Sequence, residues 1–225
     1  ALVTAAGVDL HGHTLGRHRL IPRRSDGIYC GGRHLVDMGR SPTVTTLSAF
    51  ALVFLLEWVA LPIGLYGTLF VLTPPITVHP WTLVTSVYAH ASAGHLLGNA
   101  AGLLLTGLVV ERTTTRLRYH AFFLATGAVA GIAQITVGSL VGGTGGVLGA
   151  SGAIFGFLGY LLTANRLTEV VVGGVEVSGR AQLIAFAIVA ALITLATGTT
   201  RTALIAHFTG LFVGLLAGRA QVLRA

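Results

Sequence analysis

The most informative stretch of the chain is Gly145-Gly-Val-Leu-Gly-Ala-Ser-Gly-Ala-Ile-Phe-Gly156. It predicts a glycine-rich loop that runs into an apolar helix, with Ser151 at the junction. The leading N–H groups of a helix have no partner inside it, so a group placed there meets free donors and the positive end of the helix dipole. Ser151 is therefore a candidate nucleophile beside a site for an oxyanion, and a simple helix cap is the alternative.

The composition is typical of a membrane protein. Of the 225 residues, 53% are hydrophobic and 9% are charged, and the mean hydropathy is +0.82. These values lie outside the range of soluble globular domains. The formal net charge of +7 comes from arginines that are spread along the chain rather than gathered on one basic face. Nucleic-acid binding is therefore not expected.

Residues 1–42 are polar, and we expect a solvated cytoplasmic segment there. The candidate metal ligands in this segment are His11, His13, His18, Cys30 and His34. Because the paired cysteines of a zinc site are absent, no metal site is predicted.

Six apolar segments follow and predict an all-α, polytopic membrane domain over residues 43–225. They cover about residues 43–60, 94–111, 117–138, 150–165, 181–197 and 203–222. Between the first two, prolines and glycines break residues 61–92 into a long membrane-associated loop. Within this loop, residues 69–72 and 81–88 are apolar enough to lie in the membrane interface.

The arginines predict the orientation of the six segments. Six arginines precede the first segment, three separate the second from the third, two separate the fourth from the fifth, and the last two, Arg219 and Arg224, close the chain. Only Arg201 falls on the opposite side. By the positive-inside rule, both termini are expected in the cytoplasm.

This topology brings four polar residues to one depth. His95 and Asn99 lie one turn apart near the outer end of the second segment, and His207 lies about 7 Å along the sixth. The fourth segment spans only about 22 Å of the roughly 30 Å hydrocarbon layer, so Ser151 is expected below the outer surface. All four residues should meet in the outer half of the membrane. The glycines that follow Ser151 and His207 form small-residue faces, so we expect the fourth and sixth segments to contact each other closely.

Elimination then favours acyl transfer to water. The sequence has no H-E-x-x-H motif for zinc and no aspartate within an apolar segment. Ser151 as nucleophile and His207 as general base form a possible dyad. His95, Asn99 and the Ser151 backbone N–H are candidate donors to the oxyanion. For each histidine, a hydrogen-bonded structural role is the alternative.

These residues resemble the rhomboid family of intramembrane serine proteases. The matching motifs are His90-x4-His95-x3-Asn99, Gly149-Ala-Ser151-Gly152-x3-Gly156 and Ala206-His207-x2-Gly210-x3-Gly214. The resemblance implies a six-helix bundle, a Ser151–His207 catalytic dyad and an oxyanion hole lined by His95 and Asn99. It also implies that His90 is a structural residue near the site and that Trp81 begins a tryptophan-arginine pair. Substrates would be single-span membrane proteins cleaved in or near the bilayer, and no cofactor is implied.

The chain departs from the family pattern at several positions. Thr82 stands where the arginine of the tryptophan-arginine pair is expected, and Phe155 stands where many bacterial relatives have a tyrosine that stacks on the catalytic histidine. The fifth outer loop, residues 198–202, lacks a bulky hydrophobe that would cap the site. Glu111 matches a family acid, with a surface ion pair to a nearby arginine as the alternative.

The main hypothesis is a rhomboid-like serine endopeptidase of unknown oligomeric state. A transporter or channel is one alternative, because intramembrane histidine and asparagine can mark a polar path. A rhomboid relative that binds membrane helices without cleaving them is the other.

Overall fold

The computed structural model describes residues 41–140, 145–164, 179–197 and 203–225. These residues are helical and contain no strand, only one antiparallel bridge between Leu72 and Val147. In chain order the helices are α1 (Pro42–Ala60), α2 (Tyr66–Phe70), α3 (Thr82–Tyr88), α4 (Ala93–Val110), α5 (Arg116–Leu140), α6 (Ser151–Thr163), α7 (Gly179–Thr197) and α8 (Leu204–Arg219). The all-α prediction is confirmed for this part of the chain, and each apolar segment carries one longer helix. Residues 1–40 and the fifth loop, 198–202, lie outside the described residues.

Three helices, α1, α4 and α5, are long and apolar enough to cross a membrane. The apolar stretches in α6, α7 and α8 are shorter, covering residues 151–163, 180–196 and 204–219. Much of the outward-facing surface is apolar, as shown by Leu55, Trp58 and Leu105, which are 66%, 69% and 76% exposed. Such side chains suit contact with lipid.

Helix α1 begins at a well-defined cap. Pro42 occupies its first turn, and the Ser41 hydroxyl accepts a hydrogen bond from the Val44 N–H at 3.2 Å. The Glu111 carboxylate at the end of α4 accepts bonds from the Ser41 hydroxyl at 2.7 Å and the Thr43 N–H at 3.1 Å. Glu111 thus joins the end of α4 to the start of α1. This contact was predicted neither by the match of Glu111 to a family acid nor by the alternative of a surface ion pair.

The loop over residues 61–92 contains α2 and α3 and folds inward in part. Phe70 is 6% exposed and Leu72 is fully buried, so these two side chains pack inside the protein and do not face lipid. The reason is a backbone pairing: Leu72 and Val147 exchange N–H···O bonds of 3.0 and 2.9 Å. This bridge ties the loop to the segment that leads into Ser151.

Helix α6 lies at the centre of the bundle. Seven of its residues are buried, and it contacts α4, α5 and α8. Phe157 packs against Tyr119 and Phe123 of α5, with ring centroids 4.7 and 5.6 Å apart. Ser151 therefore stands at the start of a helix that α4, α5 and α8 surround.

Glycines set the distance between α6 and α8. A Cβ added at Gly210 would overlap the carbonyl oxygen of Gly152, and one added at Gly214 would overlap that of Gly156. Such backbone contact is how helices associate in lipid, where small residues allow close approach. The predicted contact between the glycine faces of the fourth and sixth segments is confirmed.

Candidate active site

Ser151 is the first residue of α6, not its cap. The N-cap position is Ala150, which offers no side-chain hydrogen bond. The leading N–H groups of α6 thus lack the side-chain acceptor that usually satisfies one of them. No side-chain hydrogen bond caps α6, so the helix-cap alternative for Ser151 is wrong.

The loop before Ser151 is held by its backbone. The Gly149 N–H donates to the carbonyl of Ser86, a residue of α3, at 2.8 Å. Gly149 has a φ of +121°, and a Cβ there would lie 2.7 Å from Cε1 and 2.8 Å from Nε2 of His95. Only glycine meets both conditions. Gly149 therefore lets the His95 imidazole lie directly against the loop that carries Ser151.

The four polar residues predicted from the sequence line one cavity. Its volume is about 1010 Å³, and His95, Asn99, Ser151 and His207 all lie in its wall. They come from α4, α6 and α8, so three helices contribute to it. A cavity with a few convergent polar groups is the usual form of a binding or catalytic site.

His207 lies one turn into α8 and is held mainly by its ring face. The Phe155 ring stacks on the imidazole, with centroids 4.3 Å apart and planes 19° apart. His207 is 8% exposed, and its Nδ1 is buried without a hydrogen-bond partner among the described residues. Within that part of the chain no acid orients the ring, so packing must do so.

His95 and Asn99 are placed by the start of α4. Ser92 caps this helix, and its hydroxyl accepts a bond from the His95 N–H at 3.2 Å. Asn99 donates one amide hydrogen of Nδ2 to the His95 carbonyl at 3.2 Å. Because an amide nitrogen carries two hydrogens, the second is available to an oxygen in the cavity.

His90 packs against His95 without lining the cavity itself. Its ring is 1% exposed and lies 5.3 Å from the His95 ring, centroid to centroid, and both ring nitrogens lack partners among the described residues. Burial, and to a smaller extent the nearby His95, lower the pKa of His90 from its ordinary value to about 4. A neutral His90 beside His95 fits a structural role, and His90 is not among the described residues that line the cavity.

Glu57 is a residue whose role the sequence analysis missed. It is 4% exposed in α1, and its two carboxylate oxygens accept the His90 N–H at 3.0 and 3.2 Å. The available signal was an acid within an apolar segment, since such a group requires a partner. Glu57 fixes the backbone of His90 and hence the position of the His90 ring that packs against His95.

The remaining predicted residues lie around the site rather than in it. Trp81 is 46% exposed and donates its indole N–H to the Thr68 carbonyl at 2.9 Å. It is not among the described residues of the cavity wall. Gly152, Gly210 and Gly214 serve the contact between α6 and α8.

Comparison with known proteins identifies the family. A family profile described as the Rhomboid domain matches residues 77–223, which is most of the chain. The chain is 31% identical over 83 residues to RHOMBOID-like protein 1 of Arabidopsis thaliana and 37% identical over 82 residues to Rhomboid protease GluP of Bacillus subtilis. It is also 28% identical over 136 residues to Putative rhomboid protease YdcA of Bacillus subtilis.

These matches are partial. They cover 37%, 36% and 60% of this chain, and 20%, 15% and 64% of the lengths of the three relatives. Family membership rests on the domain match, which includes α3 to α8 and all four polar residues of the cavity. With its apolar helices, the chain is an integral membrane protein that belongs to the rhomboid family.

Proposed function

We propose that this protein is an intramembrane serine endopeptidase that cleaves single-span membrane proteins in or near the bilayer. The observation that carries the proposal is the shared cavity. In it, Ser151 sits at a helix N-terminus without a side-chain cap, together with His207, His95 and Asn99. The names of two relatives, both of which contain the words rhomboid protease, support the same reaction class.

In this proposal Ser151 Oγ attacks the carbonyl carbon of the scissile peptide bond. His207 accepts the hydroxyl proton at Nε2, because Nδ1 is buried. Oxygen then carries negative charge in the tetrahedral intermediate. The Ser151 N–H, the His95 ring and the second Nδ2 hydrogen of Asn99 stabilise this oxyanion by donating hydrogen bonds.

The second half of the reaction returns the site to its starting state. The carbon–nitrogen bond breaks, and His207 gives its proton to the leaving amine. Water then attacks the Ser151 ester, transferring its proton to His207, which passes it back to Ser151 Oγ as the acid product leaves. Packing by Phe155 replaces an orienting acid in this scheme.

The membrane arrangement is part of the proposal. We infer six spans, with residues 1–42 and the C-terminal arginines in the cytoplasm and the cavity in the outer half of the membrane. The support is the arginine distribution and the short α6, which has only 13 residues. Water would reach Ser151 from the outer side.

The test is cleavage of a model single-span substrate by the purified protein in liposomes, followed on gels. Wild type should release two fragments, and Ser151→Ala and His207→Ala should release none. Ser139→Ala and His79→Ala are matched controls outside the cavity wall, and they should cleave like wild type. Undiminished cleavage by either site variant would refute the dyad.

A further inference from the structure

Gln134 is a polar side chain within the apolar helix α5, and it reaches the start of α8. Its Oε1 accepts a hydrogen bond from the Ala206 N–H at 3.1 Å. The two residues are 72 positions apart in the chain. Ala206 directly precedes His207, so this bond holds the backbone next to the proposed general base.

The Ala206 N–H needs an acceptor from outside its own helix. Helix α8 begins at Leu204, and the N-cap Ala203 offers no side-chain hydrogen bond. The His207 N–H already bonds to the Ala203 carbonyl at 3.0 Å, which leaves Ala206 as the last leading N–H before the helical ladder begins. Gln134 thus does from α5 what a capping side chain normally does from the N-cap.

The same face of α5 also meets α6. A Cβ added at Gly152 would lie 2.6 Å from the Ala130 Cβ, and one added at Gly156 would lie 2.5 Å from Cγ2 of Thr126. Thr126, Ala130 and Gln134 are spaced four residues apart, so they lie on one face. This face contacts α6 through its first two members and α8 through Gln134. It therefore fixes the position of α8 relative to α6, and with it the position of His207 relative to Ser151.

His207 depends on such backbone placement. Its Nδ1 has no partner among the described residues, and Phe155 contacts only the ring face. Stacking restrains the tilt of a ring but leaves the ring free to slide in its plane. A backbone hydrogen bond one residue earlier limits that sliding.

We propose that Gln134 is a positioning residue for His207, acting through the α8 N-terminus. This inference rests on the proposed function, since it assigns Gln134 a part in keeping the base near Ser151. Loss of the acceptor should lower kcat much more than it changes KM, because the substrate-binding cavity is retained while proton transfer is misaligned.

The test compares Gln134→Leu, which removes the acceptor, with Gln134→Glu, which keeps an oxygen at the same length. Thr136→Val is the matched control, because Thr136 is exposed on α5 and its hydroxyl bonds only within that helix, to the Ile132 and Ala133 carbonyls. We expect Gln134→Leu to lower kcat about ten-fold or more with KM changed less than about two-fold. Gln134→Glu should recover most of the rate, because an anionic acceptor suits a helix N-terminus, and Thr136→Val should match wild type.

A second readout does not depend on activity. Hydrogen exchange at the Ala206 amide, followed by mass spectrometry on a peptide covering residues 203–210, should be faster in Gln134→Leu and near wild type in Gln134→Glu. Melting temperatures of the variants separate this local effect from global unfolding. Unchanged exchange at Ala206, or an unchanged kcat despite faster exchange, would overturn the inference. A wild-type protein that cleaves nothing would instead count against the proposed function.

Discussion

The Phe155 ring lies nearly parallel to the His207 imidazole, with ring centroids 4.3 Å apart and an angle of 19° between the planes. Phe155 is on the second turn of α6, one turn after Ser151, so the helix that carries the proposed nucleophile also packs against the proposed base. Aromatic stacking at this distance contributes about 0.5–1.5 kcal/mol beyond the area it buries. Phe155 thus maintains the aromatic contact without a hydroxyl.

Replacing this ring tests how much the stacking matters. Phe155→Tyr should cleave at close to the wild-type rate, because the aromatic face is kept. Phe155→Ala should lower kcat by about ten-fold or more, because a stack lost beside the base misplaces it. Steady-state cleavage of a model substrate measures both. Equal rates for Phe155→Ala and Phe155→Tyr would show that the stack does not orient His207.

Close backbone packing between α6 and α8 makes Gly210 intolerant of a side chain. Gly210→Ala places a Cβ against the Gly152 carbonyl oxygen, so the helices must separate, and we expect a loss of about 1–3 kcal/mol in the free energy of unfolding. Gly98→Ala is the control, because a Cβ at Gly98 meets nothing within 4 Å. Unfolding by sodium dodecyl sulfate in mixed micelles measures the difference. Equal stability of the two variants would contradict the packing argument.

The bond between Glu57 and His90 predicts a second stability effect. Glu57→Leu leaves the buried His90 N–H without its acceptor and should cost about 1–3 kcal/mol of unfolding free energy. Glu57→Gln retains an acceptor oxygen and should lose less. The same unfolding assay distinguishes them, and a Glu57→Leu protein as stable as Glu57→Gln would mean that the N–H finds another partner.

Glycines also leave room in the cavity wall. Gly94 and Gly98 line the cavity, and a Cβ at either position meets nothing within 4 Å. Gly98→Leu should fill part of this space beside Asn99 and slow cleavage of a transmembrane substrate about ten-fold or more, while a small fluorophosphonate still reacts with Ser151. If Gly98→Leu reduces cleavage and probe labelling by the same factor, then the added side chain disturbs Ser151 and its neighbours and does not merely exclude the substrate.

Local patterns in the sequence predicted the contact between α6 and α8 well. The glycine spacing after Ser151 and His207 defines small faces, and such faces pack closely whenever two helices meet in lipid. The same local reasoning left the role of Ser151 open, because a serine at a loop-to-helix junction suits both a cap and the first helical residue.

Contacts across long stretches of chain could not be predicted in this way. The Leu72–Val147 bridge and the Gln134–Ala206 bond each join residues more than 70 positions apart. Nothing in the local pattern around Leu72 distinguishes a buried residue from one in the membrane interface, since both are apolar. Gln134 carried only a weak signal, as a lone amide in an apolar helix that needs a hydrogen-bond partner.

The central claim is that Ser151 is a nucleophile activated by His207, and covalent labelling tests it most directly. A fluorophosphonate probe reacts when a serine oxygen displaces fluoride from phosphorus, leaving an adduct that mass spectrometry can locate. We predict an adduct on Ser151 in the wild-type protein, none in Ser151→Ala, and labelling slower by about a hundred-fold or more in His207→Ala. Labelling of wild type at another residue, or labelling of His207→Ala at the wild-type rate, would contradict the claim.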